Sequence, residues 1–399
     1  MWSRWFDNLS RTAKENVKHR RGNTVKKYDI AAYVWPVFTG DEPRSRIFWP
    51  EGIGEWQTVK NEIRNYPQFS EKRKPLWGYV NEADPCVMEM QIDAAANHGV
   101  NVFIYDWYWY DNRPFLENCL DDGFLKAKNN KRMKFYLMWA NHDANYCWDV
   151  RNASEEWGDT FIWSGAQDEK QFDIICERLI NQYFMHEQYY KIDGKPVFMI
   201  YDIDNFVKGL GGVDNTEKKL NELRDKCIKA GLPGIHLQIT QWGDVTHNLS
   251  GVDAGSLTSS LDTAKLARLL GFDSASNYQY CHFVPVNRSY IETTDDAEHM
   301  WEEFYRRYQG AYFPHISVGW DNNLRYRKFR VDIVRDNTPE NFEKALRRAK
   351  RFIDTHEMKA PLITLNSWNE WTETSYLEPD YLNGYGYLEA IKKVFLSGI

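Results

Sequence analysis

Short apolar runs recur along the chain, and between them apolar residues return every three or four positions. The runs occupy residues 30–38, 100–112, 133–143, 196–206, 235–242, 272–280, 313–323 and 361–365, the sixth being the weakest because Ser and Asn interrupt it. Each opens as a short, β-rich, apolar stretch, the pattern of a strand buried on both faces in a parallel sheet. The periodic stretches predict helices over 86–97, 169–184, 216–229, 295–310, 339–356 and 387–395, with Gly99 stopping the first and Pro339 opening the fifth. Strands alternating with helices or long loops, without a composition break, predict one α/β domain. We expect a single (β/α)8 TIM barrel with long βα loops over residues 28–399, after a basic N-terminal arm at 1–27. In such a barrel chemistry collects at the C-terminal strand ends.

The segment that follows the last strand run, SWNEWTETSYLEPD at 367–380, places three carboxylates among aromatic side chains: Glu370, Glu373 and Glu378 beside Trp368, Trp371 and Tyr376. Glu370 and Glu373 are three residues apart. A helical turn there would put them on one face, roughly 5–6 Å apart at Cβ. Carboxyls so close do not both ionise easily. One keeps a proton and can act as general acid while the other stays charged, the division of labour that glycoside hydrolysis requires. The plainer reading is that these acids cap the final helix. Composition favours the first: aromatics reach 16% with 17 tryptophans, more than a core needs, and flat rings at strand ends can stack on sugars.

The 399 residues are 43% hydrophobic and carry a net charge of −7, with no basic stripe outside the arm, which argues against a nucleic-acid partner. The six cysteines lack C-x-x-C spacing and read as free thiols. His142, Asp143 and Cys147 match no zinc spacing, and Gly209–Gly212 lacks the context of a phosphate cradle, so neither metal nor cofactor is expected. There is no membrane span, as no run of 18 apolar residues exists. The basic arm has no apolar core of a signal peptide, which as written implies a cytoplasmic chain; a trimmed secreted or periplasmic one would look the same. A monomer is expected.

SWNEWTETSYLEPD followed by GYGYLEA resembles the C-terminal signature of the WbsX-type domain, a relative of glycoside hydrolase family 99, whose pattern runs Asn-Glu-Trp-x-Glu with a further Glu five residues on. That resemblance implies a (β/α)8 barrel acting on an oligo- or polysaccharide by endo-α-mannosidase-like chemistry. It implies that Glu370 assists the substrate 2-hydroxyl and Glu373 is the general acid/base, with Asn369, Trp371 and Glu378 near the sugar. Similar motifs stand at other strand ends: Glu55-Trp56 in GIGEW, Asp106-Trp107-Tyr108 in the second strand, Trp139-Ala140-Asn141-His142 in the third, and Trp320-Asp321 after Gly319 in the seventh. Gln241 and Trp242, ending the fifth, complete the substrate-binding candidates. Two further functions remain open. A transferase would use Asp202-x-Asp204 for a metal-bound sugar nucleotide, and a binding barrel would use the aromatics alone.

Overall fold

The computed structural model describes residues 28–61, 73–151, 160–243, 246–247 and 261–396; the basic arm lies outside them. Eight parallel strands form the centre: β1 (Asp29–Val34), β2 (Val102–Tyr110), β3 (Lys134–Trp139), β4 (Lys195–Ile200), β5 (His236–Thr240), β6 (Ser274–Ser276), β7 (His315–Ser317) and β8 (Leu362–Asn366). Their order is β6-β5-β4-β3-β2-β1-β8-β7. The ring closes between β6 and β7, where the Ala275 N–H donates to Ala311 and the Phe313 N–H donates to the Ala275 carbonyl, each at 2.9 Å. The barrel fold read from the sequence is therefore present.

Side-chain parity explains how one strand serves both core and site. All nine residues of β2 are buried. Asp106 and Tyr108 point into the barrel mouth, while Phe103, Tyr105, Trp107 and Trp109 point outward to helices and loops, as the two-residue repeat of a strand dictates. The same rule sends Met138 inward and Trp139 outward onto Phe172 and Phe206, with ring centroids 6.2 and 5.8 Å away.

Helices α1 (Pro85–Asn97), α2 (Glu169–Arg178), α3 (Val213–Lys229), α4 (Thr263–Leu269), α5 (Tyr290–Arg307), α6 (Pro339–Thr355) and α7 (Gly386–Phe395) surround the strands. Their starts carry the expected chemistry. Asp84 caps α1, Asp168 caps α2, Thr338 caps α6, and Ser289 with Glu292 forms a capping box on α5. That box starts α5 at Tyr290, five residues before the apolar periodicity becomes visible.

Two elements depart from the sequence reading. The fourth strand ends at Ile200, because the Asp202 side chain accepts from the Asn205 N–H at 2.9 Å and starts a short helix, Ile203–Gly209. After β2 the chain makes a return strand, Arg113–Phe115, and one wide helical turn, Cys119–Phe124, neither of which the apolar pattern predicts. Cys86, Cys119, Cys176, Cys227 and Cys281 are free thiols. No helix among the described residues is long and apolar enough to cross a membrane.

Leu365 on β8 is fully buried and pairs with both Ala32 and Ile316. Leu365→Ala should cost about 2–5 kcal/mol of folding stability, read by chemical denaturation, because close-packed neighbours cannot fill the space left.

Candidate active site

The barrel mouth opens into a cavity of about 360 Å³. Asp106, Asp143, Asp202, Arg325, Glu370 and Glu373 supply its charge, and Trp35, Trp148, Tyr201, Trp242, Tyr278 and His282 are among its aromatic walls.

The two acids after β8 sit on a tightly tied hairpin. Asn369–Glu370 pairs antiparallel with Ser375–Tyr376, and between them Trp371–Glu373 forms one 3₁₀ turn. Residues three apart eclipse in such a turn, so Glu370 and Glu373 face the same way. Cross-ties hold the base. The Ser367 hydroxyl donates to the Ser375 carbonyl at 2.6 Å and accepts from the Glu370 N–H at 2.7 Å, while the Ser375 hydroxyl donates to the Asn366 carbonyl at 2.7 Å. Trp371 stacks on Tyr376 at 3.9 Å. Thr374 closes the turn in the left-handed region, φ 54°, a conformation that a β-branched residue adopts only when its surroundings impose it.

One guanidinium joins the acids. Arg325, from the loop after β7, donates from Nε to Glu55 at 2.9 Å and from Nη1 to Glu373 at 2.8 Å; Nη2 reaches Glu55 at 3.2 Å and Glu370 at 3.3 Å. Trp35 adds an indole N–H to Glu55 at 2.7 Å. The second Glu373 oxygen is buried and without a protein partner.

Across the cavity, the Tyr278 hydroxyl lies 2.8 Å from Asp106 and 3.1 Å from Glu370. One phenolic proton cannot serve both contacts, so a carboxyl must supply the other. Asp106 has no cation bonded to it, and its second oxygen has no partner. Burial holds its carboxyl well above the usual range, against the Tyr278 hydrogen bond, and the Glu373 charge raises it further. Burial and the neighbouring Glu373 likewise raise Glu370 well above its ordinary value, with Arg325 opposing. Glu373 is raised by burial, with the Arg325 charge the largest opposing influence. Burial pushes His282 down to about 3 and lowers His142, so both imidazoles are neutral in the cavity wall. His282 stacks on Trp242 at 4.0 Å.

Of the residues singled out in the sequence, Asp106, Tyr108, His142, Asp143, Asp202, Trp242, Glu370 and Glu373 line the cavity. Glu55 is fully buried behind Arg325, and Trp56 is buried with its N–H on the Val80 carbonyl. Trp107 and Trp139 face the helices. Asn141 ties β3 to the next strand end through the Asp202 carbonyl and N–H at 2.7 and 2.8 Å. Gln241 accepts from Tyr308 at 2.7 Å. Asp321 pairs with Arg73 at 2.6 Å, and Trp320 is half-buried against the core. Asn369 and Trp371, in the hairpin itself, turn their side chains to Glu82 and to Glu378, outside the cavity lining. Sequence reasoning missed Arg325, Tyr278 and His282, which stand on the loop after β7 and just beyond the weak sixth strand. Among the described residues no group of three or more His, Cys, Asp or Glu is placed to hold a metal ion.

The carboxyl-lined, aromatic-walled mouth stands at the C-terminal ends of the parallel strands, where barrels of this kind carry their functional sites. The chain belongs to the family described as Glycosyltransferase WbsX, whose profile matches residues 30–391. Two curated relatives from strains of Xanthomonas campestris pv. campestris, each named uncharacterized protein WxcX, are 23% identical over 367 residues. The match covers 88% of this chain and 47% of theirs, so the chain spans about half the length of those relatives. Among solved structures, a glycoside hydrolase-like protein aligns with TM-score 0.59 at 14% identity, covering 93% of this chain and 95% of that one. A GH99 endo-alpha-mannosidase from Bacteroides thetaiotaomicron aligns with TM-score 0.54 at 14% identity, covering 92% and 96%. At such identities the likeness is one of fold.

Proposed function

We propose that the chain is a glycoside hydrolase of endo-α-mannosidase-like, carboxylate-based chemistry acting on a glycan or polysaccharide. The observation that carries this reading is the eclipsed placement of Glu370 and Glu373 on one turn, facing an aromatic-walled cavity and sharing Arg325. In this reading Glu373 gives a proton from its unpartnered oxygen to the departing glycosidic oxygen as the bond to the anomeric carbon breaks. Glu370 takes the proton of the sugar 2-hydroxyl as that oxygen bonds to the anomeric carbon; a water molecule later adds at this carbon, passing its proton to Glu373, while the 2-oxygen leaves the carbon and takes its proton back from Glu370. The stacked Trp242 and His282, together with Trp35 and Trp148, offer flat apolar faces to sugar rings.

The family's description favours a second reading, transfer from a sugar nucleotide. Asp202 and Asp204 would then hold the metal, but the Asp202 side chain is engaged in starting a helix. Mass spectrometry of α-mannan oligosaccharides incubated with the protein, alone or with sugar nucleotides, separates the two. Hydrolysis products should form without a nucleotide, and chelation by EDTA should leave the rate unchanged. Elongated glycans that require a nucleotide and added manganese would overturn the hydrolase reading.

A further inference from the structure

Behind the hairpin lies a second carboxyl pair, Glu82 and Glu378, both buried and neither lining the cavity. Gln91 on α1 donates from one amide nitrogen to both, at 3.1 Å to Glu82 and 2.7 Å to Glu378. Its orientation is fixed by the Trp368 indole N–H, which can only donate and reaches the Gln91 carbonyl oxygen at 3.3 Å. The Asn369 side-chain amide donates to the two Glu82 oxygens at 3.1 and 2.9 Å, and the Trp371 N–H donates to Glu378 at 2.6 Å. Among the described residues no Lys, Arg or His side chain bonds either carboxyl. The titratable groups facing them are Cys119, with its sulfur 3.7 Å from Glu82, and Tyr105 of β2. One amide nitrogen of Gln91 reaches both carboxyls, so they lie close together with no cation bonded to either, and two neighbouring buried carboxyls do not both ionise.

Building on the hydrolase reading above, we propose that Glu82 and Glu378 are positioning residues for Glu370 and Glu373: sharing one proton, they fix Asn369 and Trp371, the residues on either side of Glu370. Two buried carboxylates without a cation would repel each other and loosen this support; with the proton between them they present a compact set of acceptors to three donors. Burial raises Glu82 to about 7 and Glu378 well above its ordinary value. Between pH 4.5, the ordinary carboxyl value, and about 7 the folded pair therefore holds protons that the unfolded chain releases. Stability from the pair is fully present below that window and is lost as pH rises through it.

The test combines melting and kinetics on the full chain. Glutamine at either position supplies a permanent N–H in place of the shared proton. The Tm of the wild type should therefore fall relative to Glu82→Gln and to Glu378→Gln as pH rises from below 4.5 to above 7. Parallel melting curves across the window overturn the shared proton. In hydrolysis, Glu82→Ala should lower kcat about a hundredfold with little change in KM, since misplaced catalytic groups cost rate more than binding. Glu82→Gln, keeping one acceptor for Asn369, should recover most of that loss below the window. An unchanged kcat in Glu82→Ala, or a loss that glutamine does not recover, overturns the positioning role. A wild type that hydrolyses nothing overturns the hydrolase reading and the positioning role together, whereas the melting curves decide the shared proton independently.

Discussion

Glu373→Gln should slow hydrolysis of substrates with poor leaving groups most and nearly spare activated aryl glycosides. Protonating the departing oxygen matters least when that oxygen leaves readily, so a general acid is recognised by the contrast between the two substrate kinds. Glu370→Gln should instead impair both alike, by about 3 kcal/mol in barrier, because assistance at the sugar itself is needed whatever departs. Glutamine is isosteric with glutamate, and the hairpin's serine cross-ties and the Trp371–Tyr376 stack do not involve either carboxylate. Both variants should therefore stay folded. The measurement is kcat/KM on matched aryl and oligosaccharide substrates, with melting as control. Equal and trivial losses would leave the acids as bystanders and favour a binding function.

Arg325→Met should be the most destabilising single change at the barrel mouth. It removes the cation from Glu55, Glu370 and Glu373 and leaves buried carboxylates uncompensated, at about 3–5 kcal/mol near neutral pH. The loss should shrink in acid. Without the guanidinium the folded protein binds protons on these carboxyls more tightly than the unfolded chain does, so stability of the variant falls as pH rises. Denaturant titrations at about pH 5 and about pH 7.5 should show a wild-type-to-variant gap that widens with pH. A gap that does not change would mean the three acids are already protonated in the wild type.

The strands were legible because a parallel barrel buries both faces of each strand, which turns the sequence into separated apolar runs. Their ends were legible only as far as parity allows. Asp106 and Tyr108 share an inward face, yet Trp107, lying between them in the same motif, turns to Glu117 outside the barrel. The spacing of Glu370 and Glu373 foretold a shared face because both lie in one local turn. Arg325 could not be found in this way: its bond to Glu55 spans 270 residues, and only the closed ring brings the loops after β1, β7 and β8 together. Glu82 was equally silent. It stands two residues before the Asp84–Pro85 helix start, where an acid draws no notice, and its partners come from α1 and from the other end of the chain.

The charge balance at the barrel mouth also bears on what can enter it. One guanidinium faces six carboxyl groups, those of Glu55, Asp106, Asp143, Asp202, Glu370 and Glu373, and it is already engaged by three of them. A neutral glycan adds no charge, so its occupancy should be indifferent to ionic strength. A polyanion such as the diphosphate of a sugar nucleotide approaches carboxyl groups with no unengaged cation at the Arg325 cluster to receive it, and salt that screens this repulsion would favour its entry.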